Sequence, residues 1–171
     1  KNYVRKERNF FMHNPNDSIK ILFTDMDGTL LLNNSTVSDE MKAALDRLIR
    51  NGHKLVLTSG RPLDSILEVM QASDLFYPGT LVISNNGSLI YDCTAGAPLM
   101  EKTVPFPIAS GIIREAEELG IHIQTYTDHE IVCKKEDEEV IYYRKRIHLP
   151  LITAPDILSW NGRPINSIPF I

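Results

Sequence analysis

Ile19-Lys20-Ile21-Leu22-Phe23-Thr24-Asp25-Met26-Asp27-Gly28-Thr29 sets an apolar, strand-forming run directly before two carboxylates and a glycine. A nearly continuous apolar segment of this length suits a parallel strand buried on both faces. In extended backbone, residues two apart point to one side, so Asp25 and Asp27 are expected together at the strand's carboxyl end. Paired carboxylates need a counter-charge. A Mg²⁺ ion would supply one, being a hard cation suited to carboxylate, carbonyl, water and phosphate oxygens. Gly28 permits a sharp turn where a Cβ would obstruct it, and Thr29 adds a hydroxyl. Taken alone, Asp-x-Asp-Gly also reads as an ordinary turn.

The same pattern recurs downstream. Lys54-Leu55-Val56-Leu57 and Thr80-Leu81-Val82-Ile83-Ser84 are two further apolar segments, and amphipathic helical periods separate the three. Met41, Ala44, Leu45, Leu48 and Ile49 form the first period, with Ser38 as N-cap and Asn51-Gly52 as the stop. Leu63, Ile66, Leu67 and Met70 form the second, behind a Pro62 expected at the first helical position. The order β-α-β-α-β predicts an α/β fold, a doubly wound Rossmann-like parallel sheet whose ligand crevice lies beyond the strands' carboxyl ends. Each strand runs into polar residues there. Thr58-Ser59-Gly60-Arg61-Pro62 offers hydroxyls, amides and a helix N-terminus, an anion site in kind, although Thr58 or Ser59 would also serve simply as a cap. Ser84-Asn85-Asn86-Gly87 brings carboxamides, and Asn-Gly is equally a turn pair.

After Ile83 the rhythm changes. Gly87 to Tyr91 and Leu99 to Thr103 read as a hairpin across Ala95-Gly96. Pro105-Phe106-Pro107 opens a helix expected to turn Ile108, Ile112, Ile113, Ala116 and Leu119 inward and to end at Gly120. Strands over 121–127 and 130–133 follow, then a helix from Glu136-Asp137-Glu138-Glu139 to Arg144-Lys145-Arg146, whose charges complement its dipole. A short strand over 164–171 completes an α+β second half. Three parts are expected: an N-terminal arm over 1–18 with Lys1, Arg5, Lys6 and Arg8, an α/β core over 19–102, and an α+β segment over 103–171.

Composition narrows the function. The chain has 171 residues, 43% of them hydrophobic and 23% charged, and a formal net charge of −4 without a basic stripe, which argues against nucleic acid. No apolar run reaches the roughly 18 to 20 residues of a membrane span, so no membrane partner is expected. Cys93 and Cys133 stand apart from each other and from ligand spacing, which fits reduced thiols and a cytoplasmic protein.

DMDGTLL, TSGR and SNNG with its hairpin, followed by an inserted α+β segment, together resemble the Cof-like branch of the haloacid dehalogenase superfamily of phosphatases. The likeness runs over 19–171 and makes the second half the family's cap. It implies a Mg²⁺-dependent hydrolase of small phosphorylated metabolites, sugar phosphates among them, with Asp25 as nucleophile and Asp27 as acid and base. Asp25 and the main-chain carbonyl of Asp27 would bind the metal, and Thr58 would hold the phosphoryl group. Met26, Ser59, Gly60, Arg61, Asn85 and Asn86 would line the phosphate and substrate site. The family also uses a lysine and a GDxxND-like acidic motif after the cap, and neither occurs here. The chain is therefore expected to be an N-terminal portion, inactive alone, with an uncovered sheet edge beside Asp25 that invites association. Two other readings stand beside it: a non-catalytic phosphate-binding or interaction module, and a phosphomutase-like transferase.

Overall fold

The computed structural model describes residues 18–127 and 129–158 and the backbone of 167–168. The expected arm lies outside the described residues except for Ser18, and so does most of the strand read over 164–171. By its internal contacts the chain divides into two units between Glu101 and Lys102.

The first unit is built on a five-stranded sheet. Its strands are β1 (Ile21–Asp25), β2 (Lys54–Thr58), β3 (Leu81–Ser84), β4 (Leu89–Asp92) and β5 (Ala97–Glu101), arranged in that order. β1, β2 and β3 are parallel, and the hairpin β4–β5 continues the sheet antiparallel. Two helices make the crossovers, α1 (Asp39–Arg50) and α2 (Leu63–Ser73). Ser38 caps α1 as expected, its hydroxyl accepting from the Met41 amide at 3.2 Å. Pro62 is not the first helical residue: its ψ of 150° keeps it extended, and it is the N-cap of α2.

Leu55 and Leu57 from β2, Val82 from β3, Leu45 and Ile49 from α1, and Ile66 and Met70 from α2 form the core with Met26 and Leu30. Each fully buried side chain of this size contributes about 1.5–3 kcal/mol relative to exposure. β2 meets the expectation of burial. β1 does not: Ile21, Leu22 and Phe23 are 55%, 39% and 60% exposed. The reason is position, since β1 pairs with β2 on one side and with no other strand among the described residues.

In the second unit, β7 (Gln124–Tyr126), β8 (Ile131–Cys133) and β9 (Leu151–Thr153) form one sheet with β8 in the middle. All three β8 residues are buried, as a central strand requires. β6 (Val104–Pro105) pairs antiparallel with β10 (Ser167–Ile168). Among the described residues the unit has two α-helices, α3 (Phe106–Glu118) and α4 (Glu138–Ile147), the latter with acidic residues in its first turn and Arg144, Lys145 and Arg146 in its last. β6 and β9 have no counterpart in the sequence reading, and β7 is shorter than the strand read over 121–127.

The apolar face read for α3 is partly wrong. Ala109 and Ile113 are its buried residues, whereas Ile108, Ile112 and Leu119 are exposed. The buried stripe is one i, i+4 row, narrower than the apolar composition of the helix suggested.

Both cysteines are free thiols. Burial, reinforced by Asp92, pushes Cys93 up to about 12, and burial also raises Cys133. Because the thiolate is the nucleophile, iodoacetamide at pH 8 should label Cys93 in the folded chain at least ~10²-fold more slowly than in urea. Equal rates would contradict the burial. For β1, Ile21→Lys with Phe23→Lys should reduce self-association in size-exclusion chromatography while changing unfolding free energy by no more than about 1 kcal/mol, because the replaced side chains are exposed.

Candidate active site

β1 and β2 pair in a register that sets Asp25 directly opposite Thr58, and Thr58 in turn is paired with Ile83, one residue before the end of β3. Three adjacent strand ends therefore bring their following loops to one rim. Beyond Asp25 the chain turns at once. The Met26 carbonyl accepts from the amides of Leu30 and Leu31 at 3.1 and 2.8 Å, and Gly28 takes a φ of +76°, a region that a Cβ disfavours. The turn sends Met26 wholly into the core and leaves Asp25 and Asp27 exposed, so Met26 has only its main chain to offer a ligand.

Asp27 does not stand free at this rim. Arg61 donates from Nε to Asp27 Oδ2 at 2.8 Å and from Nη2 to Asp27 Oδ1 at 2.6 Å, a bidentate ion pair. The guanidinium is 3% exposed and the Asp27 side chain 45%. A buried cation needs a partner, and the planar fork of arginine matches both carboxylate oxygens. Arg61 Nη1 also donates to Ser65 Oγ at 3.3 Å. Ser65 escaped the sequence reading, although its position four residues after Arg61 at the start of α2 was the available signal. Arg61, expected near substrate, thus turns its charge to Asp27.

The other candidates divide into framework and open groups. The Thr58 hydroxyl donates to the Thr24 carbonyl at 3.2 Å, so it must rotate to donate to an anion. Ser59 is framework: its amide donates to the Ile83 carbonyl at 2.9 Å and its hydroxyl accepts from the Arg61 amide at 3.2 Å. Two amides of the expected anion cradle are therefore used within the protein. At Gly60 an added Cβ would lie 2.8 Å from Asn86 Oδ1, so the absence of a side chain lets Asn86 approach. Asn85, Asn86 and Gly87 form a single 3-10 turn in which both asparagines have positive φ. The Asn85 amide donates to the Arg61 carbonyl at 3.1 Å, tying the second and third loops together, while its buried Oδ1 and the Ser84 hydroxyl have no hydrogen-bond partner among the described residues. Asn86 is exposed.

The oxygen donors here fit part of a Mg²⁺ shell. Asp25 presents an exposed carboxylate without an ion pair among the described residues, and hard oxygens are the ligands this cation takes. Among the described residues no third metal-ligating side chain joins Asp25 and Asp27. The ion pair has its own test. Asp27→Leu removes the bidentate carboxylate partner of a buried guanidinium and should lower the unfolding free energy in urea by about 1–3 kcal/mol, discounted for the exposure of Asp27. Adding Arg61→Met should recover most of that loss. No recovery would show that the pair does not hold the loop.

Comparison with known proteins places these residues in a lineage. The family model of haloacid dehalogenase-like hydrolases matches residues 22–168. Pyridoxal phosphate phosphatase YbhA of Escherichia coli is 30% identical over 122 residues, 71% of this chain and 44% of its own length. Phosphatase YwpJ of Bacillus subtilis is 27% identical over 123 residues, 72% of this chain and 42% of its own. A haloacid dehalogenase-like hydrolase structure from Bacteroides thetaiotaomicron aligns with a TM-score of 0.74 at 25% identity, over 82% of this chain and 53% of that one. The chain thus spans half or less of the length of the curated relatives it matches. With the family model covering both units and the parallel sheet carrying Asp25 and Thr58 in register, the chain belongs to the haloacid dehalogenase-like hydrolases.

Proposed function

We propose that the complete protein hydrolyses phosphomonoesters of small metabolites, with Asp25 as nucleophile and Asp27 as acid and base. The observation that carries this reading is the register that sets an exposed Asp25 against Thr58, with Asp27 two residues on and oriented by Arg61. The similarity to a pyridoxal phosphate phosphatase supports a small phosphorylated substrate.

In the first half-reaction, an Asp25 carboxylate oxygen attacks phosphorus, the P–O bond to the alcohol breaks, and Asp27 gives its proton to the departing oxygen. In the second, Asp27 takes a proton from water, which attacks the aspartyl-phosphate and releases phosphate and Asp25. Mg²⁺, when held by the Asp25 carboxylate and the main-chain carbonyl of Asp27, would offset charge on the phosphoryl oxygens. Thr58, the Gly60 amide and Asn86 are the groups suited to orient those oxygens. The Arg61 clamp favours the second half-reaction, because a bidentate guanidinium binds the ionised carboxylate that receives a proton from water. Protonating the alcohol needs the neutral carboxyl, so the clamp must loosen in that step.

The non-catalytic reading rests on a specific observation as well, the lack of a third metal-ligating side chain near Asp25 among the described residues. Turnover separates the two. With p-nitrophenyl phosphate and Mg²⁺, Asp25→Asn in the complete protein should abolish turnover, and Asp27→Asn should slow it by about 10²-fold or more. The 171-residue chain alone should show little turnover. Phosphate binding without hydrolysis by the complete protein would favour the non-catalytic module.

A further inference from the structure

The second unit holds a cluster that phosphate chemistry does not use. His122, just before β7, meets Asp137 and Glu139 at the start of α4, and one ligand atom from each lies within 4.8 Å of the others. They border a groove of about 680 Å³ that Lys134, Lys135 and Glu117 also line.

Asp137 and His122 are oriented by their surroundings. Asp137 is the N-cap of α4, and its Oδ1 accepts from the Val140 amide at 3.1 Å, which leaves Oδ2 to face His122 Nδ1 at 2.7 Å. The other ring nitrogen, Nε2, lies 3.1 Å from Gln124 Oε1. Gln124 in turn donates from its amide nitrogen to the Tyr126 hydroxyl, which holds the carboxamide beside the ring. Each neutral tautomer serves one neighbour: Nδ1–H donates to Asp137, or Nε2–H donates to Gln124 and leaves Nδ1 as a ligand atom. In the second tautomer the Nδ1 lone pair lies among the carboxylate oxygens of Asp137 and Glu139. Without a metal, a proton on Nδ1 bridges the 2.7 Å to Asp137, and a divalent cation would displace that proton on binding. A histidine whose second nitrogen is held by an oriented oxygen is the usual support of a metal ligand.

We infer that His122 Nδ1, Asp137 Oδ2 and Glu139 form a divalent-cation site of the Zn²⁺ class, open to the groove for water or a further ligand. One imidazole and two carboxylates suit Zn²⁺ or Co²⁺ better than Mg²⁺, which prefers oxygen throughout. Of the two lysines that line the groove, Lys134 is paired with Glu117 at 3.1 Å. The site is on the second unit and shares no residue with the Asp25 rim.

The test is titration of the 171-residue chain with Zn²⁺ by calorimetry in excess Mg²⁺, and with Co²⁺ by visible absorption. One Zn²⁺ per chain is expected, weakened at least tenfold by His122→Ala and by Glu139→Gln, and unchanged by Asp25→Asn. Glu139 is exposed, so Glu139→Gln tests the site without a demand on folding. Bound Co²⁺ should show d–d bands without a thiolate charge-transfer band. Absence of stoichiometric binding, binding indifferent to both substitutions, loss in Asp25→Asn, or a thiolate band would each overturn the inference. The first result would mean that a shared proton alone holds His122 to Asp137.

Discussion

The ion pair between Arg61 and Asp27 is the constraint around which the first unit's rim is arranged. Arg61 begins the turn into α2 and Asp27 follows β1, so the pair binds loops that are neighbours only because β1 and β2 are parallel and in register. A guanidinium this deeply buried cannot be left without an anion, and the fork geometry admits few rotamers of either partner. Asp27 is thereby fixed in direction, and Asp25, two residues earlier, is left as the carboxylate without an ion pair among the described residues. Ser65 and the Asn85 amide extend the same restraint to α2 and the third loop. One charge pair thus divides the polar residues into those that build the rim and those that face a ligand.

Strand β1 shows how little a residue's type settles about its surroundings. Its apolar run resembles that of β2, yet β2 is buried and β1 is exposed. The difference lies in neighbours: β2 has a strand on each side, while β1 has one among the described residues. The strand that carries Asp25 consequently has apolar surface exposed and, among the described residues, no second strand beside it.

The second unit applies similar physics to a smaller core. β8 is buried because it is central, and α4 is oriented by acidic residues at its start and basic residues at its end. The residues that favour the helix N-terminus are those that meet His122. An acidic capping residue serves the dipole wherever it occurs, but beside a histidine anchored by Gln124 it acquires a second role.

The sequence by itself determined the elements whose signals are local. Apolar runs placed β1, β2 and β3, Ser38 and Asn51-Gly52 bounded α1, and Asp25-Met26-Asp27-Gly28 and Thr58-Ser59-Gly60-Arg61 marked the rim, because periodicity and turn chemistry act over a few residues. It did not determine which side chains would be consumed by the fold. That Arg61 faces Asp27, that Ser59 caps its own loop, that Ile108 and Ile112 stay outside the core, and that His122 meets Asp137 fifteen residues away are outcomes of packing and register. Buried charges and hydrogen-bond donors take the nearest partner that the assembled chain offers, and only the tertiary structure decides which partner is near.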